Sequence, residues 1–343
     1  MLRSMNQLTA AALRLAVLSL AVVAALPAAS FTPDAAVANA VNRGIAALLK
    51  MQGDDGSFQD MAPTALAGMA LLAGGYTPSR GEYRAAAAKC LKSVLQRQDR
   101  SNGYLGDGGN MYAHGFATLY LAECYGMSPD EPVRRALEAA TDLIHSAQNE
   151  EGGWRYAPAP VDADISVTIC QVMALRAAWN AGVGSARTVE VIRKAIDYVR
   201  GCANGDGSFS YTRGHRGNWG VEGAEGIPRA AAGAMSLIGS GVSDPKDRTL
   251  GPALAFIRRN FAQHLSGQGN YLWYGQYYCA QALFHSPDPT DWDTYWAKAA
   301  PHLVKTQAPD GRWAQGEHQG AYPTAMALII LQVPNQYLPI FQR

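Results

Sequence analysis

Two aspartates one residue apart, Asp162 and Asp164, stand directly before the apolar run that begins Ile165-Ser166-Val167. With a histidine nearby, two carboxyls could form an acid–base pair of the kind that cleaves a glycosidic bond. An aspartate ahead of a helix also has a simpler use, because its side chain caps the first N–H groups and suits the helix dipole. Such donors would hold the pKa of Asp164 low and make it a poor proton donor. The segment 210–227 carries Arg213, His215, Arg216, Trp219, Glu222 and Glu225. Loops of that length in compact domains are often functional, as lids or as binding surfaces. His114, Asp162, Asp164 and this loop are expected on one rim, where helix starts favour anionic groups. Arg213, His215 and Trp219 are the expected ligand contacts from the loop.

The elements that must position these residues repeat along the chain. Phe58, Tyr104, Trp154, Phe209, Tyr271 and Trp313 recur roughly every fifty residues, each one or two residues after a glycine, which signals a repeat architecture. Each repeat has room for two helices. First helices are predicted near 36–52, 83–98, 131–148, 187–203, 247–262 and 291–307, with apolar residues at helical spacing and charges between. Second helices are predicted near 64–74, 114–125, 166–181, 228–239, 273–285 and 323–333. They are almost free of charge, as in TALAGMALLAGG, and a helix apolar all round is a buried one. Pro63, Pro228 and Pro323 fit their first positions and Gly74, Gly182 and Gly239 their far ends. Six hairpins closing into two concentric rings make an all-α fold, an α/α toroid. Aromatics concentrate in two inner helices: Phe116 and Tyr120 in the second, and Trp273, Tyr274, Tyr277, Tyr278 and Phe284 in the fifth. Trp273 and Tyr277 are the expected ligand contacts there. A solid core of Leu66, Met69, Met173, Leu328 and Ile329 is the competing expectation for the barrel interior.

The 343 residues carry a formal net charge of +1 and no long charge run, which argues against a nucleic-acid binder. Residues 1–30 have the layout of a secretory signal: Arg3 and Arg14, an apolar stretch from Leu15 to Leu26 broken by Ser19, then small residues including Ala28 and Ser30. The expectation is export to the periplasm or outside the cell, with 31–343 forming one domain and no membrane span in the mature chain. Five cysteines without a CxxC pair disfavour a zinc ribbon. They fit buried thiols, with Cys170 and Cys202 the best candidates for a bridge.

The stretches LLKMQGDDGSF, LIHSAQNEEGGW and LVKTQAPDGRW resemble the QW motif of squalene and oxidosqualene cyclases, and protein prenyltransferase β-subunits are similar. Gln52, Gln98, Gln148 and Gln307 stand at the motif's glutamine place. Repeats four and five depart, with Ala203 in place of glutamine and a stretched turn at Gly269-Asn270-Tyr271. The resemblance covers residues 36–334, and the end of the chain is most similar to exported single-toroid "prenyltransferase and squalene oxidase repeat" proteins. It implies that Asp164 stands where squalene–hopene cyclases place the proton donor of their DxDD motif, although Ile165 replaces the final Asp. Against the zinc site of prenyltransferase β-subunits, Tyr277 stands where the ligating Asp should be, two residues before Cys279, so no metal is expected.

Together these features describe an exported toroid with no cofactor. It is expected to bind an apolar or isoprenoid ligand, or a protein partner, at the Gly-aromatic rim. The second reading is an isoprenoid-processing enzyme, a terpene cyclase or prenyltransferase-like protein using Asp164, with Asp162 beside it, as acid. Oligomeric state is not legible.

Overall fold

Alternating helices of two compositions dictate two layers. The computed structural model describes residues 34–108, 110–215, 221–316 and 318–342. The expected signal segment lies outside these residues, and so do Arg216 and Trp219. The polar helices are α1 (Ala35–Leu49), α3 (Arg84–Gln96), α5 (Glu131–Ala147), α7 (Ala186–Cys202), α9 (Leu250–Leu265) and α11 (Thr290–Thr306). The apolar helices are α2 (Met61–Ala73), α4 (Met111–Met127), α6 (Ile165–Asn180), α8 (Ile227–Gly239), α10 (Leu272–Phe284) and α12 (Ala321–Gln332). Every residue of α10 is buried, and α2 is buried except at Ala62 and Pro63. Each even-numbered helix packs on the next, and α12 returns to pack on α2, so the inner ring is closed. The odd-numbered helices stand outside, and α11 meets α1. Among the described residues only isolated β-bridges interrupt this all-α toroid.

The recurrent glutamine does the stitching. Gln52, Gln98, Gln148 and Gln307 each donate through Nε2 to a carbonyl of their own turn, at Gly56, Gly103, Gly152 and Gly311. Each also donates to a carbonyl of the next outer helix, at Ala86, Ala136, Val191 and Ala40. The last of these closes the ring, joining repeat six to repeat one. The turn glycine is required by contact as well as by backbone. Gly311 has φ 89°, and a Cβ there would lie 2.5 Å from the Arg43 carbonyl oxygen.

Several expectations change in detail. The inner helices begin one to three residues earlier than expected, so Pro63, Pro228 and Pro323 are second or third residues. They are tolerated because the first N–H groups of a helix have no intrahelical partner. Gly182 holds the left-handed place after α6, but after α2 and α8 the neighbours Gly75 and Gly241 hold it. The five cysteines are buried free thiols, and Cys170 Sγ lies 3.4 Å from the Tyr278 hydroxyl instead of bridging to Cys202. Phe58, Trp154, Phe209 and Trp313 are buried as the repeat requires, whereas Tyr271 is 52% exposed with φ 56°. In its repeat His264 takes over the turn, hydrogen-bonding the Asn270 carbonyl through Nε2 and the Gln276 side chain through Nδ1.

Candidate functional site

Because all outer-to-inner turns fall on one rim, the six inner-helix starts converge there. They surround a cavity of about 950 Å³ that opens on the rim. The wall is built chiefly from the second and third residues of the inner helices: Ala62 and Pro63, Tyr112 and Ala113, Ser166, Pro228 and Arg229, Tyr274, and Tyr322. The turns add Gln59, Asp60, Tyr156, Tyr211, Glu225 and Tyr271. Among the described residues no leucine, isoleucine, valine or methionine lines it. The cavity is a bowl, not a deep throat. Leu66, Met69, Met173, Leu328 and Ile329 are buried outside its wall, and Phe116 in the lining packs edge-on against Tyr277 at 6.1 Å. The barrel is therefore filled, as the solid-core expectation held, while its rim is hollow.

Asp164 is the N-cap of α6. Its Oδ1 accepts from the Val167 N–H at 2.8 Å, and its Oδ2 accepts from the Tyr211 hydroxyl at 3.0 Å. The Tyr156 hydroxyl lies 2.7 Å from that of Tyr211, so two phenols link the buried carboxyl to the bowl. Arg155 pairs with Asp162 at 2.8 Å and leaves its Nε 3.6 Å from Asp164. The capping geometry is as expected, but the pKa is not lowered. Asp164 is 0% exposed, and burial pushes its carboxyl up to about 6 against the opposing effects of Val167, Tyr211 and Arg155. Desolvation outweighs the Val167 and Ser166 N–H groups and the Tyr211 phenol, because the carboxyl is fully buried.

The other expected residues disperse. Asp162 is exposed and held by Arg155. His114 is buried away from the bowl; its Nδ1 accepts from the Leu105 N–H and its Nε2 bonds the Ala140 carbonyl. Burial lowers its pKa to about 4, so the ring is neutral. It fills the place held by Thr64, Thr168 and Thr324, whose hydroxyls accept from the N–H of Phe58, Trp154 and Trp313. Arg213 lies along Gly201 of α7, and neither it nor exposed His215 lines the bowl. Trp219 lies outside the described residues. Trp273 is buried with its indole N–H on the Gln315 carbonyl, and Tyr277 is buried beneath the floor. Of the expected set, Asp164 reaches the bowl through Tyr211, and Tyr211 and Glu225 of the 210–227 segment line it.

Sequence reasoning missed Tyr112, Tyr156, Tyr211, Tyr322 and Arg229. The signal that could have found most of them was register: the second and third positions after each inner-helix start face the opening. Arg229 is 7% exposed on the wall, and burial lowers its pKa while Glu225 and Tyr211 oppose that shift. Among the described residues no cluster of His, Cys, Asp and Glu is suited to a metal, and no helix is long and apolar enough to cross a membrane.

Solved structures with this architecture include the type II terpene cyclase MstE from Scytonema. It is 17% identical over 89% of this chain and 98% of that one, with a TM-score of 0.59. A variant of MstE in complex with its substrate geranylgeranyl dihydroxybenzoate superposes with a TM-score of 0.61 at 17% identity, covering 88% of this chain and 98% of that one. The α-1,6-mannanase GH76A of Salegentibacter sp. HEL1_6, as an inactive variant in complex with α-1,6-mannotriose, gives 0.65 at 9% identity, over 88% of this chain and 99% of that one. At such identities the likeness is one of fold alone. No curated protein matches the chain. The sequence profile of the prenyltransferase alpha-alpha toroid domain matches residues 65–250, more than half of the 343. With the closed double ring and its repeated glutamine clamp, that match assigns the chain to the prenyltransferase alpha-alpha toroid domain family.

Proposed function

We propose that this chain is an exported binding protein whose rim bowl takes an amphipathic ligand. The observation that carries the reading is the bowl itself: about 950 Å³, walled by aromatic rings and small residues, with polar groups at its edge. That size and mixture are those of ordinary ligand sites. Toroids of this fold include one solved with a geranylgeranyl compound and one with a mannotriose, so the architecture accommodates both kinds of molecule. The test is extraction and mass spectrometry of small molecules carried by the purified protein, compared with Ala62→Trp, which fills the bowl from its wall. A species present in the parent and lost in the variant is expected. Equal recovery from both would place binding elsewhere, for example on an outer surface that meets a protein partner.

One observation favours a second reading, an isoprenoid-processing enzyme of the terpene cyclase or prenyltransferase kind. Asp164 is buried, holds its proton to about pH 6, and touches the bowl through Tyr211 and Tyr156. A carboxyl that keeps part of its proton near neutral pH beside an aromatic cavity can serve as a general acid. Asp164 itself does not line the bowl, so its proton would have to pass through the phenols. Turnover of geranylgeranyl compounds by the parent, abolished in Asp164→Asn, would establish this reading; no turnover would leave the binding reading in place.

A further inference from the structure

We infer that the ligand of the bowl is an oligosaccharide, with Tyr271 as a stacking platform and Gln59, Asp60 and Gln319 hydrogen-bonding its hydroxyls. The inference rests on the reading of the bowl as the ligand site, and three observations narrow it.

The first is the chemistry of the wall. Its apolar surface comes from rings, alanines and prolines, with none from branched aliphatic side chains among the described residues. A long aliphatic tail laid here would cover phenol, amide and carboxylate groups and strip their water without replacing it. A sugar ring is amphipathic in another way: its C–H faces suit the electron-rich face of an aromatic ring, and its hydroxyl edge is all donors and acceptors.

The second is the state of the polar groups. The side chains of Gln59, Asp60 and Gln319 line the bowl, are exposed, and make no hydrogen bond among the described residues. Amides offer both donors and acceptors and a carboxylate offers two acceptor oxygens, the set that reads vicinal hydroxyls. Tyr271 is 52% exposed at the mouth, and Tyr156, 46% exposed, carries the Arg155 guanidinium over its ring at 5.3 Å.

The third is strain. Among the described residues Gln59, Tyr271 and Gln336 are the non-glycine residues with positive φ, and the first two line the bowl. A side chain in the left-handed region is costly, and such strain persists at sites that use it. Here it holds an amide and a ring at the opening, at places where glycine would relax the backbone.

The test uses the purified full chain against an array of natural oligosaccharides, then isothermal titration of the strongest hit, with geranylgeraniol titrated in parallel. Oligosaccharide binding is expected. Tyr271→Ala should weaken it about tenfold, and Gln59→Gly should weaken it about fivefold without lowering the melting temperature. Geranylgeraniol binding without oligosaccharide binding would overturn the inference and leave the bowl as a ligand site. Binding of neither would overturn both. Oligosaccharide binding that survives Tyr271→Ala and Ala62→Trp would put the sugar elsewhere and overturn the inference as well.

Discussion

The Tyr211 hydroxyl donates to Asp164 Oδ2 at 3.0 Å and ties the cap of one inner helix to the wall of the bowl. This bond opposes the burial that raises the Asp164 pKa to about 6. The folded value lies above the ordinary carboxyl value of about 4. The proton-linked stability is therefore fully present below about pH 4 and is lost as pH rises through 6. Asp164→Asn keeps an acceptor for the Val167 N–H and removes the buried charge. It should gain stability on the parent as pH rises from 4 to 7, by up to about 3 kcal/mol. Thermal melts across that range check this; a parent that grows steadily more stable relative to the variant would contradict it.

Glu123 in α4 is a second buried acid, far from the bowl's lining. Its Oε2 accepts the Ile340 N–H of the C-terminal segment at 3.2 Å, and burial pushes its pKa up to about 8. The sign is the same: stability is retained at acid pH and lost as pH rises through 8. Glu123→Gln should leave the melting temperature nearly unchanged at pH 5 and raise it at pH 9. Amide exchange at Ile340 should speed up above pH 8 in the parent, beyond the intrinsic rise, and less so in the variant.

Ring closure depends on Gln307, whose Nε2 reaches Ala40 and Gly311 and whose Oε1 accepts from Arg43 at 2.6 Å. Gln307→Ala strands two carbonyls and should cost about 1–3 kcal/mol. Denaturant melts of Gln307→Ala and Gln148→Ala give the comparison. Both should lose stability, because Gln148 makes the same two bonds within the ring.

The fold was legible because composition and period agreed. Helices apolar on every side, such as α10, have no place but the inside, and the glutamine before four of the six turns marks the repeat. Helix starts were less legible, since Pro63 and Pro323 sit three residues in. Asp164 was legible as a helix cap, because a cap before an apolar run is a local signal. The place of His114 was not, because nothing in the sequence says that a turn N–H takes histidine where its sister repeats use threonine. Nor was the course of Arg213 and His215, because loop composition does not say which way a loop leans. The sign of the Asp164 pKa depends on how much dry surface surrounds the carboxyl, and that is a property of packing.

The central claim is that the rim bowl is the ligand site. An amphipathic aromatic anion, anilinonaphthalene sulfonate, tests it most directly through its fluorescence on transfer from water into an apolar site. The parent should light the dye with saturable binding. Ala62→Trp and Gln319→Trp, both on the wall, should abolish the signal while the melting temperature holds. Undiminished fluorescence in both folded variants would contradict the account.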